Sequence, residues 1–238
     1  MTVNQSATYQ QLQLALKKVG CPICQLGQQT GHGYLDSILW ESVNDPGTRA
    51  KLTESLGFCG RHTRETLTFA GERLGVAIIQ RAVLQEVARR LPVASAMPQR
   101  TILQRIQEQW RNQPDAPQAD SPLNPTSPCP ACVQQAAGEK RALHVLLEHL
   151  QQDLDEPLRS AGGLCLPHLQ DALQMCRQPE VASALVQLQQ SVWQELGTHL
   201  SEFIRKNDHR FQGEKITEGE RAAVDRAVAA LTGEYPIR

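Results

Sequence analysis

Aromatic side chains are scarce, making up 4% of the 238 residues, so any core has to be assembled mainly from Leu, Val, Ile and Ala. Surplus charge is missing as well. With 24 basic and 25 acidic side chains the net charge is −1, which removes the electrostatic footprint of a nucleic-acid-binding chain and leaves at most a local basic patch. No apolar run approaches the roughly 20 residues that span a bilayer, and the polar stretch from Met1 to Ala7 does not resemble a signal peptide. A membrane role is disfavoured and the expected location is the cytoplasm. The apolar-polar alternation of half-buried strands is absent, while Leu, Ala, Gln and Glu dominate, so the fold class expected is all-α. Neither a nucleophile-base pair nor a phosphate-cradling glycine loop can be picked out. A non-catalytic role is therefore favoured, although catalytic groups drawn from separate helices leave no local motif.

Seven cysteines are present, and six of them fall into a pattern. Cys21-Pro22-Ile23-Cys24 is followed by Cys59-Gly60-Arg61-His62, and Cys129-Pro130-Ala131-Cys132 by Cys165-Leu166-Pro167-His168. The two CPxC pairs lie 108 residues apart and the two CxxH pairs 106, a near-constant offset that marks an internal duplication. Two ligands separated by two residues share one turn and can face a single ion, so C-x2-C with C-x2-H is metal-ligand spacing. Buried reduced thiols are the plain alternative, and one CPxC alone would favour it. Six Cys and two His in duplicate reverse that preference. In a reducing compartment these cysteines read as ligands rather than disulfides, and the closing His argues against a redox pair.

Taken in order, Thr8 to Lys18 reads as a helix stopped by Gly20, and Pro22 suits the first turn of a helix opened by the CPxC motif. Gly31-His32-Gly33 is expected to interrupt that helix. Leu35, Ile38, Leu39 and Val43 form one apolar face, Asp45-Pro46-Gly47 a turn, and Thr48 to Leu56 a short helix ended by Gly57. A helix starting at Cys59 places His62 on the same face and continues through Leu67 and Phe69. Another is expected from Glu72 to Leu91 with Leu74, Ile78, Ala82, Val83 and Val87 inside, and an amphipathic one from Thr101 to Gln113. Five prolines between Pro114 and Pro128 mark an exposed linker. The second half repeats the first: Leu143, Leu146 and Leu147 stand 108 after Leu35, Ile38 and Leu39, and Leu158, Gly163 and Leu164 stand 106 after Leu52, Gly57 and Phe58. Pro179 opens a long helix through Val181, Leu185, Leu188 and Val192. Thr217-Glu218-Gly219-Glu220 is a capping box for a last helix through Val224, Ala227, Val228 and Leu231.

The duplicated CPxC and CxxH motifs, joined to a tail reading FIRKNDHRF and then TEGERAAVDRAVAALTG, resemble a bacterial family catalogued as a domain of unknown function. The resemblance runs from about Cys21 to Gly233. The chain departs from the pattern where Leu164-Cys165-Leu166-Pro167-His168 lacks the leading aromatic and where His209 replaces an expected Tyr. The resemblance implies this architecture and no catalytic residue.

The expected architecture is two tandem homologous helical repeats in a pseudo-twofold arrangement plus a C-terminal helix. Residues 1–113 form the first repeat, 114–128 the linker, 129–206 the second repeat and 207–238 the tail. Each repeat is expected to hold its own Cys3His site: Cys21, Cys24, Cys59 and His62 in one, Cys129, Cys132, Cys165 and His168 in the other. Four protein ligands leave no open position for water, so two structural zinc ions are the first expectation, with an iron–sulfur cluster as the alternative. Cys176 stands outside the repeat and reads as a small core residue, and His144 and His149, five apart, do not share a helical face. Arg205, Lys206, Asp208 and Arg210 form a candidate surface for a phosphate or an acidic partner, against the plainer possibility of a helix end that satisfies its own charges. The function expected is a metal-stabilised scaffold or adaptor for a protein or small-molecule partner. An iron–sulfur or thiol-based redox or gas sensor, and an enzyme or ligand binder using a pocket between the halves, are the alternatives.

Overall fold

The computed structural model describes residues 3–91, 121–211 and 213–233, and these are helical throughout, with no strand among them. The helices are α1 (Val3–Ala15), α2 (Pro22–Ser37), α3 (Pro46–Glu54), α4 (Gly60–Thr66), α5 (Arg73–Arg90), α6 (Pro130–His149), α7 (Asp155–Ala161), α8 (Leu166–Met175), α9 (Pro179–Lys206) and α10 (Glu218–Thr232). A π-helical turn follows α2 (Ile38–Ser42) and another follows α6 (Leu150–Leu154). The helix expected over Thr101–Gln113 and the linker up to residue 120 lie outside the described residues.

The chain forms two compact units. Unit 1 is Met1–Gly31 with Gln135–Arg238, and unit 2 is His32–Gln134. The divisions fall inside α2 and α6, so each of these helices begins in one unit and ends in the other. The compact units therefore cut across the sequence repeats of 1–113 and 129–206.

Unit 1 is built around Leu12, Ile23, Leu143, Leu146, Leu150, Leu154, Leu158, Leu185 and Leu188, contributed by α1, α2, α6, α7 and α9. In unit 2, Leu35, Ile38, Leu39, Leu52, Phe58, Val76, Ile79 and Val83 come together. Phe58 is the one aromatic among the buried apolar side chains of the described residues, and aliphatic side chains supply the rest. Burying each such side chain stabilises by about 1.5–3 kcal/mol.

Three local expectations fail for identifiable reasons. Gly31-His32-Gly33 does not break α2, which runs unbroken to Ser37. Glycine in a helix costs about 1 kcal/mol, which tertiary contacts offset: the His32 ring stacks on Phe69 at 4.4 Å and its Nδ1 meets Glu65 Oε1 at 3.1 Å. In α5 the buried residues are Val76, Ile79 and Val83 while Leu74 is 74% exposed, a face one step round from that expected. α4 stops at Thr66 rather than continuing through Phe69.

At the C-terminal end, α10 packs on α9 and α8, burying Ala223 and Glu220 and leaving Val224, Val228 and Leu231 exposed. Thr217 and Glu220 form the expected capping box. Lys206 Nζ lies 2.7 Å from Glu220 Oε1, both side chains largely covered, and this ion pair ties the end of α9 to the start of α10. Lys206 first, then the Thr217 N–H, hold the Glu220 carboxyl below its usual range. A depressed carboxyl contributes above its unfolded pKa and loses that contribution as the pH falls through the folded one, so this anchor is lost in acid. Replacing Lys206 by Met is expected to free α10, read as earlier cleavage within residues 218–232 under limited proteolysis at neutral pH.

Candidate metal centres

Each CxxH pair is delivered by the same local device. α3 and α7 end in left-handed turns, Leu56-Gly57 with φ 51° and 90° and Gly162-Gly163 with φ 101° and 76°. The Gly57 N–H donates to the Leu52 carbonyl at 2.7 Å and the Gly163 N–H to the Leu158 carbonyl at 2.9 Å, the six-to-one bond of a Schellman cap. The reversal sets Cys59 and Cys165 at the N-caps of α4 and α8 in extended conformation, φ −62° and −73°. His62 and His168 then occupy the first turn of the following helix. At the CPxC motifs, Pro22 and Pro130 open α2 and α6, where a missing N–H costs nothing.

The eight residues meet in two quartets, but not as expected. Cys21 and Cys24 join Cys165 and His168 in unit 1, and Cys59 and His62 join Cys129 and Cys132 in unit 2. Each site takes its CPxC from one repeat and its CxxH from the other, which corrects the assignment of one site to each repeat. α2 runs unbroken from Pro22 through Gly31-His32-Gly33 to Ser37, with Cys24 in unit 1 and Cys59 and His62 in unit 2.

In the first quartet, His168 Nδ1 lies 3.5 Å from Cys21 Sγ, 3.4 Å from Cys24 Sγ and 3.1 Å from Cys165 Sγ, with Cys24 and Cys165 sulfurs 3.6 Å apart. In the second, His62 Nδ1 lies 3.3 Å from Cys59, 3.6 Å from Cys129 and 3.3 Å from Cys132, with Cys59 and Cys132 sulfurs 3.7 Å apart. A tetrahedral ion with bonds of 2.3 Å to sulfur and about 2.0–2.1 Å to nitrogen requires edges of about 3.7 Å between sulfurs and about 3.5 Å from sulfur to nitrogen. The sulfur–sulfur edges of 3.6 and 3.7 Å match, and the sulfur–nitrogen edges of 3.1–3.6 Å lie close to the required length. The sulfurs are too far apart for disulfides, and all seven cysteines are free thiols.

Electrostatics in the quartets reflect crowded thiols. Burial opposes ionisation of Cys21, yet hydrogen bonds from Cys165, Cys24 and His168 outweigh it and bring its pKa well down, while Cys24 is pushed up, chiefly by Cys165 and Cys21. Burial likewise opposes a charged His168, but Cys165, Cys21 and Glu139 raise it to about 12. Burial and the Cys129 charge push the Cys132 thiol to about 12. Such a site gathers thiolate around imidazolium, charge that a cation would answer on displacing the protons.

One residue that sequence reasoning missed completes the first quartet. Glu139, on α6, places Oε2 3.7 Å from His168 Nε2, the ring nitrogen turned away from the sulfurs. Gln135 Nε2 donates to the other Glu139 oxygen at 2.7 Å. The carboxylate fits because α2 carries Gly27 opposite it: a Cβ there would lie 2.3 Å from Glu139 Oε1. A carboxylate behind a ligating His fixes its tautomer and raises its basicity, and losing one typically weakens metal binding 10–100-fold. Glu139→Gln is expected to weaken metal binding at the Cys21–Cys24–Cys165–His168 quartet by about that factor and leave the other quartet unchanged, measured by competition with a chromogenic chelator. The available signal was a Glu one helix stretch after CPxC with a Gly at the facing helix, which no local motif records.

The Arg205 cluster satisfies its own charges. Arg205 Nη2 lies 2.8 Å from Glu202 and 2.6 Å from Glu214, Arg210 Nη2 2.7 Å from Asp208, and the Phe211 ring lies under Arg205 at 4.9 Å. His149 is buried against Tyr9, His144 is exposed, and Cys176 is half-buried with its thiol directed at the Gln178 carbonyl, 3.3 Å away.

No described helix is long and apolar enough to cross a membrane. A family model described as "Family of unknown function (DUF6062)" matches residues 12–238. No curated protein and no solved structure matches the chain.

Proposed function

Because the chain belongs to DUF6062, a family of unknown function, we propose from its sites alone that it is a non-catalytic metal protein holding two zinc ions, each in a closed Cys3His shell. The observation that carries this reading is the set of quartet edges, 3.6 and 3.7 Å between sulfurs, which suit one tetrahedral ion. Three thiolates and an imidazole are soft enough for zinc, and four protein ligands leave no position for a reacting water. All ligand atoms in each quartet lie within 4.8 Å of one another, which favours a single ion over a cluster whose several irons would spread the thiolates. The ions act as clamps: each ties a CPxC from one repeat to a CxxH from the other. Reduced cysteines used as ligands support a reducing compartment, the cytoplasm, as the place where it serves as a scaffold or adaptor. A protein or small molecule is the partner class, since a net charge of −1 disfavours nucleic acid.

Elemental analysis of protein purified without oxygen, with an absorption spectrum of the same sample, tests this reading. Two zinc ions per chain and a colourless solution are expected. Iron with acid-labile sulfide and a broad visible band would replace it with the redox-sensor alternative, and absence of any stoichiometric metal would overturn it altogether.

A further inference from the structure

The two quartets have the same ligands and different surroundings. Cys21, Cys24, Cys165 and His168 are buried, at 5%, 2%, 1% and 4% exposure, and their three cysteines belong to the main apolar cluster of unit 1. A cavity of about 230 Å³ borders Cys21 and Cys165 but leaves both residues covered. In the other quartet only His62 is fully buried, and Cys59, Cys129 and Cys132 are partly buried.

The histidines differ as well. Glu139 faces His168 Nε2, whereas Arg61 Nη2 stands 2.9 Å from His62 Nε2. When Nδ1 carries an ion, Nε2 carries the ring proton and must donate. A guanidinium offers donors only. Loading the second site therefore sets one donor against another, so Arg61 has to give way, a cost that the first site does not bear. The repeat supplies the contrast: 108 residues before Glu139 stands Gly31, and 106 after Arg61 stands Pro167.

We propose that the Cys59–His62–Cys129–Cys132 quartet is an exchange site, which passes its ion to thiol ligands from solution, while the Cys21–Cys24–Cys165–His168 quartet holds its ion permanently. This rests on the reading of both quartets as zinc sites. In the transfer, an incoming thiol loses its proton and its sulfur bonds to the ion as a protein thiolate leaves and takes a proton. Repetition of that step releases the ion, and no electrons move. The acceptor class follows from the site: a soft ligand is what displaces thiolate from zinc, and the incomplete burial of Cys59, Cys129 and Cys132 is where it would approach.

The test uses the full chain loaded with zinc, challenged with dithiothreitol in the presence of a chromogenic chelator. Two phases of one ion each are expected, the faster by at least about tenfold, the scale by which the group behind a ligating histidine alters metal retention. Cys132→Ser should remove the fast phase alone, and Arg61→Glu, which keeps every ligand and supplies an acceptor for Nε2, should slow it. Iodoacetamide added to unaltered protein should alkylate Cys59, Cys129 and Cys132 before Cys21, Cys24 and Cys165, as read by mass spectrometry. Two ions leaving in one phase, or alkylation first at Cys21, Cys24 or Cys165, would overturn the proposal while the zinc reading stands. A chain that binds no zinc fails the earlier reading instead.

Discussion

Replacing Cys21 and Cys24 together by Ser is expected to unfold the unit formed by Met1–Gly31 and Gln135–Arg238, most of which lies more than a hundred residues from the substitutions. Their partners are Cys165 and His168, so on the proposed metal reading the damage reaches the elements that carry those two residues. The scale is large. Structural zinc contributes about 10–16 kcal/mol of apparent binding free energy in small zinc domains, while whole domains are stable by only about 5–15 kcal/mol. Hydrogen exchange read peptide by peptide gives the answer. Loss of protection across α7, α8 and α9, with α3 to α5 retaining theirs, is the outcome required by the crossed pairing. Loss centred on residues 46–66, around the CxxH of the same repeat, would mean that each repeat closes its own site. Chelation of both ions should abolish protection in both units.

Gly163→Ala carries the second-largest expected effect, although it touches no ligand. The residue sits at φ 76°, where a side chain costs about 1–2 kcal/mol, and its Cβ would lie 2.6 Å from Gln189 Oε1. That oxygen accepts the Leu164 N–H at 2.8 Å, immediately before Cys165. Pushing Gln189 aside leaves a buried N–H without its acceptor, a further loss of about 1–3 kcal/mol. A destabilisation of about 2–5 kcal/mol is expected in chemical denaturation, together with weaker metal retention at the buried quartet, because the strained turn is what positions Cys165. The double variant Gly163→Ala with Gln189→Ala should be less destabilised than the two single losses added, since the clash is gone. Additive losses would show that the contact with Gln189 is not the source.

All-α class, the eight ligand candidates and the repeat were legible because each is a local signal. The 3.6-residue period is written in neighbouring residues, ligand pairs are two apart, and the capping box of Thr217 and Glu220 spans four positions. Buried Leu143, Leu146, Leu158 and Leu164 could be named because their copies occur 106 or 108 residues earlier. Which CPxC meets which CxxH is a different kind of fact. It depends on whether α2 continues through Gly31-His32-Gly33, and two glycines argued for a break that packing by His32 and Phe69 prevented. Local propensity there is worth about 1 kcal/mol per glycine, well within what a few tertiary contacts override.

The sequence by itself determined that this chain is helical, duplicated and equipped with two sets of three cysteines and one histidine at ligand spacing, because residue type and short spacing fix those properties. Tertiary structure alone decided that each set is shared between the repeats, that Glu139 stands behind His168 in the space left by Gly27, and that one quartet is buried while the other is only partly buried. Those features arise from helix lengths and from side chains brought together across more than a hundred residues, and no local pattern encodes either.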